Sequence, residues 1–193
     1  MALVQNNMLI VLDLNGVLLH REKKGRKQFI SNDNGIIAGR RTYVRPHAHS
    51  FITRLMTNHD VAIWSTAQYE NVIAMLDVIG VDKSFFLFIW SHIECVRTNK
   101  IDEKSKPLLT KPLCWVWKYF PQFNEDNTII IDDSFLKINM NPKKCVYIPA
   151  SYTPDQDDNS LAENGEIDLI LKTMQAHRLR SQSNQLNISD PSK

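Results

Sequence analysis

Several common protein classes are excluded by what this chain does not contain. Cysteine is scarce: Cys95, Cys114 and Cys145 are odd in number, scattered and without Cys-x-x-Cys spacing. They make neither a disulfide framework nor a cysteine zinc site, and a reducing compartment suits them best. No stretch approaches the ~18 uninterrupted apolar residues of a membrane span. The apolar run from Met8 to Leu12 stops at Asp13 without a cleavage site, so no signal peptide is expected. An excess of one charge is also missing, since a net charge of +2 is too small to imply nucleic-acid binding by itself. Asn187-Ile188-Ser189 fits a glycosylation acceptor, but the pattern means nothing without secretion. The expectation is a monomer of the nucleus or cytoplasm, with neither a nucleic-acid nor a membrane partner.

What is present has the composition of an ordinary globular protein, 43% hydrophobic and 23% charged. The length of 193 residues fits one domain with a real core, expected over residues 1–178, followed by a polar, frayed tail over 179–193. Met8 to Leu12, Val61 to Trp64, Thr128 to Ile131 and Cys145 to Ile148 are short branched apolar runs that read as buried strands of a parallel sheet. Helical spacing follows Arg45-Pro46, in Phe51, Ile52, Leu55 and Met56, with the proline suited to a first helical turn. It recurs from Val72 to Ile79, with Gly80 as a stop, from Leu113 to Phe120, and from Leu161 to His177. Residues 20–42 read as loop or β-flap, and 81–110 as a strand (Phe85 to Trp90) plus a small inserted hairpin. This alternation predicts an α/β three-layer sandwich with a central parallel sheet.

Arg21, Lys23, Lys24, Arg26, Lys27, Arg40 and Arg41 crowd into one early stretch. A solvated loop is the plain reading, and an anion-attracting rim beside a site is the sharper one.

Open parallel sheets bind ligands beyond the carboxyl ends of their strands. Three of the expected strands end there in polar groups: Asp13, Ser65, and the pair Asp132-Asp133. A single strand-terminal aspartate is usually a turn residue, but three such ends converging with one lysine suit phosphate removal. A carboxylate can attack phosphorus and split one hard hydrolysis into two steps. Magnesium favours a few carboxylates with water, and a fixed lysine with hydroxyl or backbone donors stabilises the charge on the equatorial oxygens.

Val11 to Leu18 resembles the first motif of the haloacid dehalogenase superfamily, Asp-x-Asp-x-(Thr/Val). Tyr43 to Phe51 resembles the Arg-Pro helix opening of its FCP/SCP-type branch, the CTD phosphatases, and Ile63-Trp64-Ser65-Thr66-Ala67 the second motif of that branch. Lys111-Pro112-Leu113 with Trp117, Asn127 to Asp133, and Met140-Asn141-Pro142 resemble the remainder. The match spans roughly residues 8–150 and is nearest to the phosphatase domain of the ubiquitin-like-domain-containing CTD phosphatases. It implies a Rossmann-like sandwich with a small β insertion and no large cap.

The resemblance makes Asp13 the nucleophile and a magnesium ligand, with Asn15 lending its backbone carbonyl and Asp133 its side chain to the metal. It places Ser65 on the phosphoryl group, Lys111 against phosphate and nucleophile, and Asp132 in support of metal and lysine. Thr66 and Arg45 fall on the substrate side. Lys106 also begins a Lys-Pro-Leu; Lys111 is preferred for the tryptophan that follows and its 21-residue distance from Asp132 (132 − 111).

One residue departs from the pattern. Where active members carry a second aspartate that gives and takes the proton, this chain has Asn15, and an amide does neither. An engineered substrate trap, a native slow phosphatase, and a pseudophosphatase that serves as a protein-binding module all remain open. The spacing leaves no room for a large lid, which favours phosphoserine or phosphothreonine on a protein or peptide over a small metabolite.

Overall fold

The structure, a computed structural model, describes residues 7–23, 34–101, 107–154 and 157–188. Its centre is a five-stranded parallel sheet of β1 (Leu9–Leu12), β5 (Asp60–Trp64), β6 (Ile89–Trp90), β9 (Thr128–Ile131) and β10 (Val146–Tyr147), in the order β10-β9-β1-β5-β6. The two runs Leu-Ile-Val-Leu and Thr-Ile-Ile-Ile are buried along their whole length, as strands covered on both faces must be. β1 pairs with both neighbours in one register, Leu12 opposite Ile63 and Ile131, so β1 and β9 end at the same level and β5 one residue beyond.

Strand alternation sorts the apolar side chains into two cores. Ile10, Leu12, Val61, Ile63, Ile129 and Ile131 face α1 (Ala48–Asn58), α2 (Tyr69–Ile79) and the start of α5 (Glu166–Ile188). Leu9, Val11, Ala62, Trp64 and Ile130 face α3 (Leu113–Tyr119) and Ile138 of the single-turn α4 (Phe135–Ile138). The result is the three-layer sandwich expected from the alternation of strands and helices. Each fully buried Leu, Ile or Val contributes roughly 1.5–3 kcal/mol, so both helix layers are held firmly to the sheet.

Two small β insertions leave the sheet. β2 (Leu19–Lys23), β3 (Ile36–Ile37) and β4 (Arg40–Val44) form an antiparallel sheet in the order β2-β4-β3, and β7 (Val96–Ile101) and β8 (Pro107–Thr110) form a hairpin. Much of the basic stretch therefore lies on paired strands, with Lys23 opposite Arg40 and Glu22 opposite Arg41. Lys24, Arg26 and Lys27 lie outside the described residues.

Several boundaries differ from the sequence expectation. The strand expected over Phe85 to Trp90 is only β6, because a 3₁₀ turn occupies Lys83–Phe85. Pro46 stands before α1 rather than in its first turn, and His47 caps that helix at φ 65°. Gly80 ends α2 at φ 81°, where its N–H donates to the Leu76 and Asp77 carbonyls. α5 runs on to Ile188, past His177 and across the residues from Leu179 whose polar composition predicted fraying. Arg178 ties this helix to the sheet, its guanidinium donating to the carbonyls of Thr128 (2.9 Å) and Lys144 (3.0 Å).

The Arg45 corner fastens α1 to the chain beyond β10. Arg45 is 3% exposed; its Nε and Nη2 donate to Asp158 Oδ2 at 3.0 and 2.8 Å, and its Nη1 donates to the Val17 carbonyl at 3.0 Å. Burial pushes the Asp158 carboxyl up, but the Arg45 guanidinium and the Ser160 N–H outweigh it and hold the group below its ordinary value. A carboxylate so depressed adds stability above its unfolded pKa and loses it as pH falls through the folded one. Arg45→Met should cost about 3 kcal/mol at pH 7, the low end for one partner of a buried pair, since Asp158 keeps the Ser160 N–H. Urea denaturation across pH checks this: the gap between wild type and variant should close in acid, below about pH 4. A gap that persists there would show that lost packing, not the ion pair, carries the effect.

Candidate active site

The chain continues in sheet geometry one step past each strand, and the site is built from those steps. Asp13 N–H donates to Ile131 O (2.9 Å), Asp132 N–H to Tyr147 O (3.3 Å), and Ser65 N–H to Trp90 O (3.0 Å). Asp13 and Asp132 thus sit side by side on adjacent strands, on backbone that the ladder still fixes. Ser65 follows one residue further along β5, and its Oγ accepts the Ala67 N–H at 3.3 Å.

Two buried carboxylates on neighbouring strands repel, and two lysines resolve the conflict. Lys111, wholly buried, puts its ammonium 3.0 Å from Asp13 Oδ1 and 2.5 Å from Asp132 Oδ2. Lys137, on α4, puts its ammonium 3.0 Å from Asp13 Oδ2 and 3.2 Å from Asp132 Oδ1. The four charges alternate around a closed ring. Burial alone pushes the Asp13 carboxyl up, but Lys111 and Lys137 outweigh it and hold the group below its ordinary value. Asp13 is therefore a carboxylate at neutral pH.

Asp133 joins this ring at its edge, 3.8 Å from the Lys137 ammonium. Burial pushes its carboxyl up, against the pull of Lys137 and the Ser151 hydroxyl. It fits against Gly16, where an added Cβ would lie 2.0 Å from Asp133 Oδ2. Gly16 also stands at φ +93°, a conformation that L side chains rarely adopt.

The donor set suits a hard divalent cation. Asp13, Asp132 and Asp133 each offer a carboxylate oxygen, all within 4.8 Å of one another, close to the ~4.2 Å that two ligands on opposite sides of one magnesium span. Asp13 Oδ1 is buried and takes no well-directed hydrogen bond, although Lys111 lies near it in a charge contact. That oxygen keeps its lone pairs available, while Oδ2 accepts from the Lys137 ammonium. A thiol nucleophile has no such support: burial pushes nearby Cys95 up to about 11.

The sequence-predicted residues divide clearly. Asp13, Lys111, Asp132 and Asp133 are brought together. Ser65 (3% exposed) and half-buried Thr66 lie past the end of the adjacent strand, and Asn15 is exposed in the turn after Asp13. The Arg45 guanidinium is taken up by Asp158 and the Val17 carbonyl, where it fastens the fold. Lys106 lies outside the described residues, and Lys111 meets the geometric requirement. Two participants escaped the sequence. Lys137 is one; its signal was its position four residues after Asp133, legible only once a helix is placed there. Asn141, seen in the sequence only as part of Met140-Asn141-Pro142 and given no role, is the other: its amide donates to Lys111 O (2.9 Å) and accepts from Leu113 N–H (2.7 Å), locking the lysine's backbone.

The sequence model of the NLI interacting factor-like phosphatases matches residues 8–179. An uncharacterized FCP1 homology domain-containing protein of Schizosaccharomyces pombe is 30% identical over 148 residues, 71% of this chain and 58% of that protein. Ubiquitin-like domain-containing CTD phosphatase 1 of Drosophila melanogaster is 26% identical over 101 residues, 52% of this chain and 32% of that protein. The chain therefore spans less than two thirds of these relatives. Among solved structures, the fission yeast RNA polymerase II CTD phosphatase Fcp1 bound to beryllium fluoride is similar with a TM-score of 0.51 at 13% identity, covering 97% of this chain and 57% of that one. A haloacid dehalogenase-like hydrolase from Xanthomonas campestris is similar with a TM-score of 0.51 at 9% identity, covering 91% and 99%. Likeness at such identities speaks to the fold.

Gly16→Ala tests how closely the first turn and Asp133 are fitted. Backbone strain of about 1–3 kcal/mol, with the displaced carboxylate, should lower the melting temperature by several degrees at ~2–4 °C per kcal/mol. Differential scanning calorimetry reads this directly, and an unchanged melting temperature would mean that the turn yields at no cost.

Proposed function

The chain belongs to the NLI interacting factor-like phosphatase family, and from that membership we propose that it is a phosphoprotein phosphatase acting on phosphoserine or phosphothreonine, with magnesium, through an aspartyl-phosphate on Asp13. The observation that carries the proposal is the Asp13 carboxylate, buried, ionised and flanked by two ammonium groups and two further acids.

An oxygen of Asp13 attacks phosphorus, a new P–O bond forms, and the bond to the serine or threonine oxygen breaks. Lys111, fixed by Asn141, neutralises the nucleophile and the incoming phosphoryl group; Ser65 and the neighbouring backbone donate to its equatorial oxygens. Water then attacks the acyl phosphate at phosphorus, releasing inorganic phosphate and restoring Asp13. Asp13, Asp133 and the backbone carbonyl of Asn15 would hold the metal, supported by Asp132; when bound it supplies charge neutralisation and alignment of nucleophile with phosphate.

Proton transfer is the weak step. The leaving oxygen needs a proton in the first half and the attacking water must lose one in the second. Asn15 does neither, so bulk water serves and turnover falls by about 10²–10⁴-fold. Among the described residues the two β insertions put no cap domain over the carboxyl ends of the strands, which suits a phosphate presented on an extended protein segment. A phosphorylated protein tail is also what the names of the CTD phosphatase relatives suggest, and nucleus or cytoplasm is the setting that goes with it.

The test is hydrolysis of a phosphoserine peptide with magnesium. Asn15→Asp should raise kcat by about 10²–10⁴-fold, and Asp13→Asn should abolish turnover in either background. Should Asn15→Asp stay inert while Asp13→Asn still retains phosphopeptide, a binding module without catalysis replaces this proposal.

A further inference from the structure

The site contains one more cation than phosphate chemistry of this kind requires, and its location is informative. The Lys137 ammonium lies 3.0 Å from Asp13 Oδ2, 3.2 Å from Asp132 Oδ1 and 3.8 Å from Asp133 Oδ1. Among the described residues it is the one cation that contacts all three acids; Lys111 contacts Asp13 and Asp132 alone. A metal ion shared by these carboxylates would draw on the same group of oxygens. We propose that Lys137 is a tethered counter-cation standing at the divalent-cation position, so that a metal ion binds only by displacing its ammonium group. This rests on reading the three acids as the metal site of a phosphatase.

Charge makes the two cations alternatives. Three carboxylates against two ammonium groups leave the cluster at −1, which a single divalent ion overshoots if both lysines stay. The ion and the Lys137 ammonium would also crowd the same three acids, and like charges at such distances repel strongly in a water-poor site.

The two lysines differ in their freedom to leave. Lys111 is wholly buried, and Asn141 holds the backbone just after it through the Lys111 carbonyl and the Leu113 N–H. Lys137 stands on the single turn of α4, and its side chain is 20% exposed. Four flexible methylenes can carry its ammonium from the carboxylates to water, or to the oxygens of an arriving phosphate, without disturbing the sheet. Metal and phosphate then favour one another, because phosphate gives the evicted ammonium a new partner.

Two measurements test this, both independent of turnover. Isothermal titration calorimetry with Mn²⁺ should give at least about tenfold tighter binding for Lys137→Met than for wild type, corresponding to ~1.4 kcal/mol. Lys118→Met, which removes an exposed charge elsewhere, should leave the affinity unchanged. In case Lys137→Met does not fold, the second measurement uses wild type alone. Amine acetylation followed by mass spectrometry should label Lys137 several-fold faster in saturating Mn²⁺, with Lys118 constant. Equal affinity in wild type and Lys137→Met, or Lys137 labelling indifferent to bound Mn²⁺, overturns the displacement and leaves the phosphatase proposal standing. Absence of Mn²⁺ binding in both proteins overturns the metal site as well.

Discussion

The ring of alternating charge formed by Asp13, Lys111, Asp132 and Lys137 is the constraint on which the rest of the structure depends. Register brings β1 and β9 to an end at one level, so the residues after them are neighbours by construction. Placing an ionised carboxylate at both positions costs several kcal/mol per group unless opposite charge arrives with it. Two otherwise minor elements supply that charge. The β7–β8 hairpin ends at Thr110 and delivers Lys111; α4 follows Asp132-Asp133-Ser134 and delivers Lys137. Their backbones meet where Lys111 N–H donates to Lys137 O at 2.8 Å, which couples the two lysines to one another as well as to the acids.

Within that ring the two halves are unequal. The Lys111 side rests on Asn141, on the hairpin and on the core around Leu113 and Val116, and behaves as part of the fold. The Lys137 side rests on one helical turn near solvent. Asp133 belongs to this second half: it is less buried, held by fewer charges, and seated against a glycine whose missing side chain makes the space. A site composed this way can exchange one cation while the nucleophile and its buried lysine stay fixed, which is what a phosphate-handling carboxylate needs.

How much of this is legible in the sequence follows from how local each signal is. The runs at Leu9 to Leu12 and Thr128 to Ile131 announce themselves because strands buried on both faces have no alternation to obscure them. Asp13, Asp132 and Asp133 were readable as their polar endings, and Lys111 through its motif. The structural part of Arg45 was hidden, because an arginine beside a proline gives no hint of a partner 113 residues away in Asp158. Lys137 was missed for the opposite reason: it lies within ten residues of Asp132, but a four-residue helix has no period to detect. The long reach of α5 beyond His177 was hidden by its polar composition, while Arg178 binding two carbonyls of the sheet side is a tertiary contact.

Position 15 separates two properties that usually travel together in such a site. Among the described residues the ion pairs of the charged ring are made by Asp13, Lys111, Asp132, Asp133 and Lys137, and none by Asn15, which is exposed in the turn beyond. An amide there changes no buried charge, leaves Gly16 free to admit Asp133, and keeps the backbone carbonyl available to a metal. The electrostatic half of a phosphoryl-transfer site, which gathers phosphate, cation and nucleophile, is thus independent of the half that moves protons. Under the proposed function, proton transfer would act on the leaving oxygen and on water, whereas the ring fixes the Asp13 carboxylate and its lysines. That division would let the chain keep a costly arrangement of buried charge without the second acid, since holding a phosphorylated segment asks for the charges and not for the proton.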